Sequence, residues 1–247
     1  MKIALCFFCY AKDAELLECA LRAVPHLRAC GDTVDVFVCD DAAAPLAEVP
    51  AGVYYRQTSF PRRGNLNGGE CIAGMVRAYA QIVAEGGYDW VVKVDCDTVV
   101  NDLEWLRGID PDKVLQVGTS HEVAFNSGSC YAVSRCGAAR MLAGLKTSVR
   151  KRLDVAWQED KAMYRFASLL GPVVRRANDR NEPAAGLLYN DWFAREKISL
   201  RALVVPCAVA FKRCMWHVSK EQYDADRAEA LVRMRAYVDF LTEQKGK

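Results

Sequence analysis

The sequence has no apolar run long enough to cross a membrane. Its first apolar run, Ile3 to Ala11, follows a lysine but is far shorter than the roughly 20 residues that a transmembrane helix needs. No small-residue cleavage site of the signal-peptide type comes before the first predicted helix. We therefore expect a buried first strand, no transmembrane span, and at most a peripheral contact with a membrane.

The sequence also has little excess of positive charge. It contains 33 Lys and Arg residues against 31 Asp and Glu residues, a formal net charge of +2. Proteins that bind a phosphate backbone usually concentrate basic residues in one segment or on one face. Nucleic acid is therefore not an expected partner.

A disulfide framework is not indicated either. The 11 cysteines are odd in number and scattered, and several of them lie in apolar segments predicted as strands. This distribution is typical of buried thiols in a reducing compartment. The sequence thus predicts a cytoplasmic location.

The chain does have enough apolar residues for a large core. Of its 247 residues, 52% are hydrophobic and 26% are charged, and no tract is of low complexity. Strands alternate with helices in the first half, which predicts an α/β fold with a mostly parallel mixed sheet flanked by helices in a single domain. The predicted strands are 3–10, 34–39, 53–56, 90–95, 114–118, 129–133 and 203–211. The predicted helices are 13–29 with Asp13 as N-cap, 69–85 before Gly86-Gly87, 137–145, 160–170 and 221–244.

An acidic pair follows the most apolar of these strands. Trp90 to Val94 leads directly into Asp95-Cys96-Asp97, so both carboxylates are expected at the carboxyl edge of the sheet, where open α/β sheets bind ligands. Carboxylate oxygens suit Mg²⁺ or Mn²⁺, and these ions often take the rest of their coordination from substrate phosphates. An ordinary solvated turn would produce the same acidic pair, so the motif by itself leaves both interpretations open.

Several other motifs occur in an informative order. They are Asp40-Asp41 after the second strand, Asn65-Leu-Asn67-Gly-Gly before a helix, Phe125-Asn-Ser-Gly-Ser-Cys-Tyr-Ala-Val-Ser, Gln158-Glu159-Asp160 and Met215-Trp-His217. Together with Trp90-Val-Val-Lys-Val-Asp-Cys-Asp97, they resemble the GT-A glycosyltransferases, in particular a fringe-like β1,3-galactosyltransferase core without a transmembrane anchor. The resemblance implies one Rossmann-like GT-A domain over residues 1–247, with a nucleotide-binding half at 1–100 and an acceptor half with the C-terminal helix at 101–247.

The resemblance also implies a reaction and a set of binding residues. The reaction is transfer of a sugar from a nucleoside diphosphate donor to a glycan or glycoconjugate acceptor. Asp97 would be the principal ligand of Mn²⁺ or Mg²⁺, Asp95 would contact the donor's ribose or sugar beside the metal, and His217 would be a further metal ligand. A histidine that is merely hydrogen-bonded beside Trp216 would explain His217 equally well.

The implied donor contacts are Asp40, Asp41, Asn65, Asn67, Asp95 and Asp97. Asp40 and Asp41 suit hydrogen bonds to a uracil ring or its ribose, which favours a UDP-sugar donor.

Glu159 and Asp160 precede an apolar helical stretch. Either residue can cap that helix, since Asp is a preferred N-cap and acidic side chains are favourable in a first turn. An inverting transferase also needs a carboxylate that accepts the proton of the acceptor hydroxyl. The resemblance implies Asp160 for that role, with Glu159 orienting the acceptor.

Three basic residues, Arg62, Arg63 and Lys93, are candidates for phosphate contacts. Lys93, however, alternates with Val92 and Val94 and can equally cover one face of the sheet, so none of the three belongs to the predicted catalytic set.

The last helix carries an apolar stripe, Leu231, Met234, Val238 and Leu241. Packing on the domain explains this stripe, and nearby acidic residues argue against docking on a membrane.

Other classes of protein share parts of this pattern. A haloacid-dehalogenase-like phosphatase would use Asp95 as nucleophile and Asp97 as acid and base, but its motif ordinarily lies on the first strand. A Gly-Asp-x-x-x-Asp motif that would hold magnesium is also missing downstream. A sugar-nucleotide pyrophosphorylase would need a Gly-rich loop where this chain has Cys9-Tyr-Ala-Lys-Asp13. A noncatalytic protein that binds nucleotide sugars stays open, because fold does not fix function.

Overall fold

The computed structural model describes residues 1–27, 31–60, 69–120, 129–153, 159–177, 187–189, 207–211 and 220–245. The strands in these ranges are β1 (Lys2–Cys9), β2 (Thr33–Asp41), β3 (Tyr54–Thr58), β4 (Trp90–Val94), β5 (Thr98–Val100), β6 (Gln116–Ser120), β7 (Cys130–Ser134), β8 (Val173–Ala177), β9 (Leu187–Tyr189) and β10 (Ala208–Ala210). The α-helices are α1 (Ala14–Ala23), α2 (Gly69–Gly86), α3 (Arg135–Gly144), α4 (Glu159–Leu170) and α5 (Lys220–Lys245).

A seven-stranded mixed sheet has the order β3-β2-β1-β4-β7-β6-β8, and a second sheet has the order β5-β10-β9. In the large sheet β1 to β4 are mutually parallel, with Ile3 opposite both Val34 and Trp90. Strand β7 runs antiparallel to its neighbours β4 and β6, and β8 is parallel to β6. This arrangement confirms the predicted mostly parallel mixed sheet. The functional division near residue 100 stays a prediction.

Helices cover both faces of the large sheet. Alternate residues of β1 show this arrangement, because Ile3 and Leu5 pack in a core with α1 and α5, whereas Ala4 and Cys6 pack in a second core with α2, α3 and α4. Side chains alternate between the two faces of a strand, so a strand covered on both faces is expected to be apolar at nearly every position. The nearly continuous apolar pattern of β1 and β4 follows from this double burial, with Lys93 as the exception in β4.

The cysteines of the described ranges are free thiols, and all except Cys136 are buried. Cys6 and Cys9 lie in different cores on opposite faces of β1. Cys6 lies beside Cys39 of the neighbouring strand β2, and their Sγ atoms are 3.7 Å apart.

Helix α1 is shorter than expected. The prediction extended it to about Ala29, but the α-helix ends at Ala23 and a 3₁₀ turn, Val24–His26, follows. Pro25 has no N–H to donate to the carbonyl four residues earlier, which explains why the α-helical hydrogen-bond pattern ends here. The predicted end of α2 agrees with the structure, since Gly87 has a φ of 64°, in the left-handed region that glycine tolerates at a helix end.

Three strands had no sequence prediction, namely β5, β8 and β9. Two of them, Thr98–Val100 and Leu187–Tyr189, have only three residues, too few for a periodic pattern to be recognised. Of the predicted strand 203–211, the described part forms Ala208–Ala210. This short strand pairs with both β5 and β9 and so builds the second sheet.

Helix α5 packs along α1 through the predicted apolar stripe. Met234 and Val238 are fully buried, and Leu231 and Leu241 are partly buried against the same core. Ion pairs fix the two helices, including Arg22 with Asp239 at 2.7 Å and Arg235 with Glu15 at 3.1 Å. Over the residues that could be searched, the helices are all too short or too polar to cross a membrane.

Candidate functional site

The order of the parallel strands creates a crevice at the carboxyl ends of β1 and β4. The chain builds β1, β2 and β3 outward in one direction and then returns to place β4 on the other side of β1. Such a reversal separates the loops after the two central strands, and open α/β sheets bind ligands in the resulting gap. The predicted acidic turn therefore follows β4 at the point where this topology favours a ligand.

Hydrogen bonds from three directions hold the turn Asp95-Cys96-Asp97. The N–H of Asp95 donates to the carbonyl of Ser129 at 3.0 Å, and the N–H of Phe211 donates to the carbonyl of Asp97 at 2.8 Å. Between them the buried Cys96 donates its thiol to the carbonyl of Phe8 at 3.7 Å. Cys96 is buried, whereas Asp95 and Asp97 on either side of it are partly exposed. The two carboxylates thus belong to a turn whose backbone is held by hydrogen bonds to β1 and to the segments before β7 and after β10.

Lys93 lies between two acidic side chains that are distant in sequence. Its Nζ donates to Asp95 Oδ1 and lies 3.4 Å from Glu159 Oε2. The side chain of Lys93 is 5% exposed, that of Glu159 15% and that of Asp95 26%. The ammonium group is therefore the innermost of the three, and it joins the acidic turn after β4 to the first residue of α4.

Two buried tyrosines extend this contact. The hydroxyl of Tyr131 donates to Glu159 Oε1 at 2.8 Å, and the hydroxyls of Tyr131 and Tyr79 share a hydrogen bond at 2.9 Å. Burial and then the charge of Glu159 raise the pKa of both tyrosines well above the ordinary value. Both phenols therefore stay neutral, and Glu159 accepts a hydrogen bond on each of its two carboxylate oxygens.

Asp160 is partly exposed in the first turn of α4, next to Glu159. The N–H of Lys161 donates to Asp160 Oδ1 at 2.7 Å. Acidic groups are favourable in this turn because the first helical N–H groups have no partners within the helix. Through Glu159 and Lys93, the fold brings the predicted base and the predicted metal-binding turn to the same part of the sheet edge.

The other acidic pair, Asp40 and Asp41, is divided between the interior and the surface. Asp40 is fully buried, and its Oδ2 accepts hydrogen bonds from the N–H of Leu46 at 2.9 Å and the hydroxyl of Tyr55 at 2.7 Å. That hydrogen bond raises the pKa of Tyr55. Asp41 is partly exposed, and its Oδ1 accepts a hydrogen bond from the N–H of Ala43 at 2.9 Å. Asp40 thus organises the loop after β2, while Asp41 lies nearer the surface, and the donor contacts of both stay predictions.

The acidic turn carries the kind of ligand atoms that a divalent cation needs. Asp95 and Asp97 offer the hard oxygen atoms that Mg²⁺ and Mn²⁺ prefer, and these ions often use only one or two protein carboxylates together with substrate phosphates. Asp97 Oδ1 accepts a long hydrogen bond of 3.4 Å from Thr98 Oγ1, whereas Asp95 Oδ1 is engaged by Lys93. Within the described ranges, three potential ligands from His, Cys, Asp and Glu do not converge at one point. The oxygen chemistry of the two carboxylates fits such a cation, and binding of a metal ion at this turn stays a prediction.

The other predicted site residues lie outside the described residues, as do the two arginines. They are Asn65, Asn67, His217, Arg62 and Arg63.

Sequence reasoning left Lys93 out of the site and did not identify Tyr79 or Tyr131. A signal for Lys93 was present, since a lysine within an otherwise apolar strand is costly to bury and implies an anionic partner. The tyrosines carry no comparable signal, because a tyrosine in an apolar strand or helix looks like any aromatic core residue.

Comparisons with known proteins establish no family for this chain. The sequence matches no model of a protein family and no curated protein. Solved structures of similar shape include the glycosyltransferase GlyE of Streptococcus pneumoniae TIGR4, with a TM-score of 0.49 and 9% sequence identity. That alignment covers 99% of this chain and 64% of GlyE, so this chain spans less than two thirds of its length.

Proposed function

We propose that the protein is a glycosyltransferase that moves a sugar from a nucleoside diphosphate to an acceptor hydroxyl with the help of a divalent cation. The observation that carries this proposal is the position of Lys93 between Asp95 and Glu159. It brings an acidic turn suited to a cation-bound diphosphate and an Asp suited to proton transfer to the same sheet edge, beside the crevice at the β1/β4 reversal.

The donor would lie across the carboxyl ends of β2, β1 and β4. Strands β2 and β4 are two strand spacings apart, about 10 Å, so a ligand that reaches both acidic pairs must be elongated. A nucleoside diphosphate has this form, with a base and ribose at one end and phosphates at the other. Asp41, the more exposed residue of the first pair, would contact the nucleoside end, and the turn Asp95–Asp97 would contact the diphosphate.

Each residue has a distinct role in the proposed transfer. Asp97 would hold Mn²⁺ or Mg²⁺, with His217 as a predicted further ligand, and Asp95 would contact the ribose or sugar. A bound cation would supply charge neutralisation at the departing diphosphate. Asp160 would accept the proton as the acceptor oxygen bonds to the anomeric carbon, and the bond from that carbon to the phosphate oxygen breaks with its electron pair leaving on the diphosphate. The outcome would be inversion at the anomeric carbon.

Binding of UDP tests the proposal before any acceptor is known. We expect calorimetric titration to show UDP affinity increasing roughly tenfold or more on addition of Mn²⁺, because cation and diphosphate complete each other's coordination. Asp97→Ala should lose this increase. Asp110→Ala, which removes one exposed carboxylate outside the acidic turn, is the matched control and should keep it. Equal UDP affinity with and without metal in the wild-type protein contradicts the proposal.

A screen of nucleotide sugars with Mn²⁺, followed by release of free nucleoside diphosphate, then identifies the donor. The same assay separates the alternatives. Hydrolysis of phosphomonoesters without nucleotide release would select the phosphatase with Asp95 as nucleophile. Tight binding of a nucleotide sugar without release, in the presence of many acceptors, would select a noncatalytic binding protein.

A further inference from the structure

Lys93 is a buried charge that stability alone does not explain. It is the fourth of the five residues of β4, where the other four are Trp90, Val91, Val92 and Val94, and its side chain is 5% exposed. Replacing both partners of a buried ion pair by apolar residues of similar volume is often neutral or stabilising. Stability alone would therefore not require a lysine here together with its acidic partners.

The contacts of Lys93 connect parts of the chain that carry different predicted roles. On one side its Nζ donates to Asp95, two residues later in the sequence. Asp95 belongs to the turn that is predicted to hold the diphosphate. On the other side it contacts Glu159, the residue immediately before the predicted base Asp160. The ring of Tyr131 lies 5.8 Å from Nζ, and the Tyr131 hydroxyl holds the second oxygen of Glu159. Glu159 is thus held from β4 and from β7 at once.

We propose that Lys93 is a positioning residue that fixes the first turn of α4, and with it Asp160, relative to the turn Asp95–Asp97. This proposal rests on the proposed function. Lys93 acts through the two carboxylates, because its side chain is more buried than that of either partner and its Nζ contacts both of them. A base must lie within hydrogen-bond reach of the attacking oxygen, and a displacement of about 1 Å can lower turnover roughly 10²-fold.

The test uses three variants of the full chain. Lys93→Met keeps most of the length of the side chain and removes its charge. Lys93→Met/Glu159→Gln also removes the charge of Glu159, so only the more exposed Asp95 is left without its cation, and it serves if the single variant fails to fold. Lys113→Met is the control, since this lysine is 81% exposed and pairs with Asp110 within one turn.

We expect Lys93→Met to lower kcat about 10²-fold while the KM for the donor stays within about threefold of wild type. The double variant should lose turnover to a similar extent, because both substitutions remove the same link, while its Tm stays within about 3 °C of wild type. Lys113→Met should match the wild type in every measurement.

Hydrogen exchange gives a readout that does not depend on catalysis. The amides of Met163 and Tyr164 close the first turn of α4, since a helical N–H bonds to the carbonyl four residues earlier. We expect their exchange to accelerate about tenfold or more in both Lys93 variants, while amides of β1 exchange at the wild-type rate.

Three results would overturn the proposal. Unchanged kcat with unchanged exchange at Met163 and Tyr164 would show that Lys93 does not hold α4. Faster exchange throughout the chain, with normal kcat per folded molecule, would show that Lys93 serves stability only. A donor KM raised tenfold or more at normal kcat would show a direct contact with the donor. If the wild-type protein binds no UDP with Mn²⁺, the proposed function fails, and the exchange of Met163 and Tyr164 then decides by itself whether Lys93 positions α4.

Discussion

Two acidic pairs lie at the carboxyl ends of the two parallel strands that flank β1, and their surroundings differ. Asp40, one of the last two residues of β2, is fully buried and accepts hydrogen bonds from the N–H of Leu46 and the hydroxyl of Tyr55. Asp95, after β4, is partly exposed and is joined through Lys93 to Glu159 of α4. The first pair is used largely to organise its own loop, whereas the second connects two distant segments at the sheet reversal. Similar acidic motifs at the ends of neighbouring strands can thus differ in role: one stabilises its own loop, and the other connects two remote segments.

The largest expected effect is a loss of turnover on substitution of Asp160, which follows Glu159 in α4 and so belongs to the group of residues around the turn after β4. Asp160→Asn keeps the size of the side chain but cannot accept a proton, so kcat should fall roughly 10²- to 10⁴-fold while UDP affinity in the presence of Mn²⁺ persists. Steady-state kinetics with the identified donor, together with calorimetric titration of UDP, measures both quantities.

Asp110→Asn is the control for Asp160→Asn, because Asp110 is an exposed carboxylate that also accepts a backbone hydrogen bond, from Asp112. Since asparagine caps a helix about as well as aspartate, near-normal turnover of Asp160→Asn would reduce Asp160 to a structural role. Product with the donor's anomeric configuration, formed by an active Asp160→Asn enzyme, would replace inversion by retention without excluding a transferase.

The next effect concerns stability on the β2 side. Asp40→Ala removes the acceptor of the Leu46 N–H, the Tyr55 hydroxyl and, more weakly at 3.7 Å, the Cys9 thiol. Hydrogen bonds to a charged group contribute about 1.5–3 kcal/mol each. We expect the free energy of unfolding to fall by about 3 kcal/mol. Asp41→Ala, which loses one bond to Ala43 near the surface, should change it by about 0.5 kcal/mol. Urea denaturation of the two variants measures this difference.

Equal losses for the two variants would remove the distinction between the buried and the surface carboxylate. Because Asp41→Ala is expected to remain folded, titration of UDP into this variant also checks the predicted donor contact. A weaker affinity for UDP at unchanged stability would support that contact.

The smallest effect is a pH dependence beside the turn after β4. Cys130, opposite Val94 in the sheet register, has its pKa raised from 9.0 to about 12 by burial. The unfolded chain therefore loses this proton first as pH rises, so the contribution to stability is complete below about pH 9 and is lost between about pH 9 and 12. By pH 10 the loss from this one group should be about 1 kcal/mol.

Chemical denaturation at pH 7 and pH 10 measures the loss, with Cys130→Ala as the variant and the partly exposed Cys136→Ala as its control. Cys130→Ala should lose less stability between the two pH values than the wild type, and Cys136→Ala should lose as much as the wild type. The same alkaline loss in all three proteins would assign the pH dependence to other groups.

Local sequence patterns were sufficient for most of the large sheet. The nearly continuous apolar runs of β1 and β4 predicted strands buried on both faces, and the helical spacing of apolar residues located α2 and α5 nearly to their ends. Where the pattern was overridden, the cause was a single residue, Pro25, whose missing N–H ended α1 early. The three-residue strands β5 and β9 could not be predicted, because their pairing with β10 depends on contacts between remote segments.

By itself the sequence determined that an acidic turn follows a buried strand, because the apolar run ending at Val94 and the adjacent Asp95 and Asp97 are a local pattern. Only the tertiary structure decided which of the acidic groups share an environment. The reversal of strand order placed β4 beside β1, and the packing of α4 on β4 and β7 brought Glu159 to Lys93 and Tyr131. Strand and helix periodicities describe which face a residue occupies, but they do not describe which remote residue faces it, since that depends on strand order and helix packing across the whole chain.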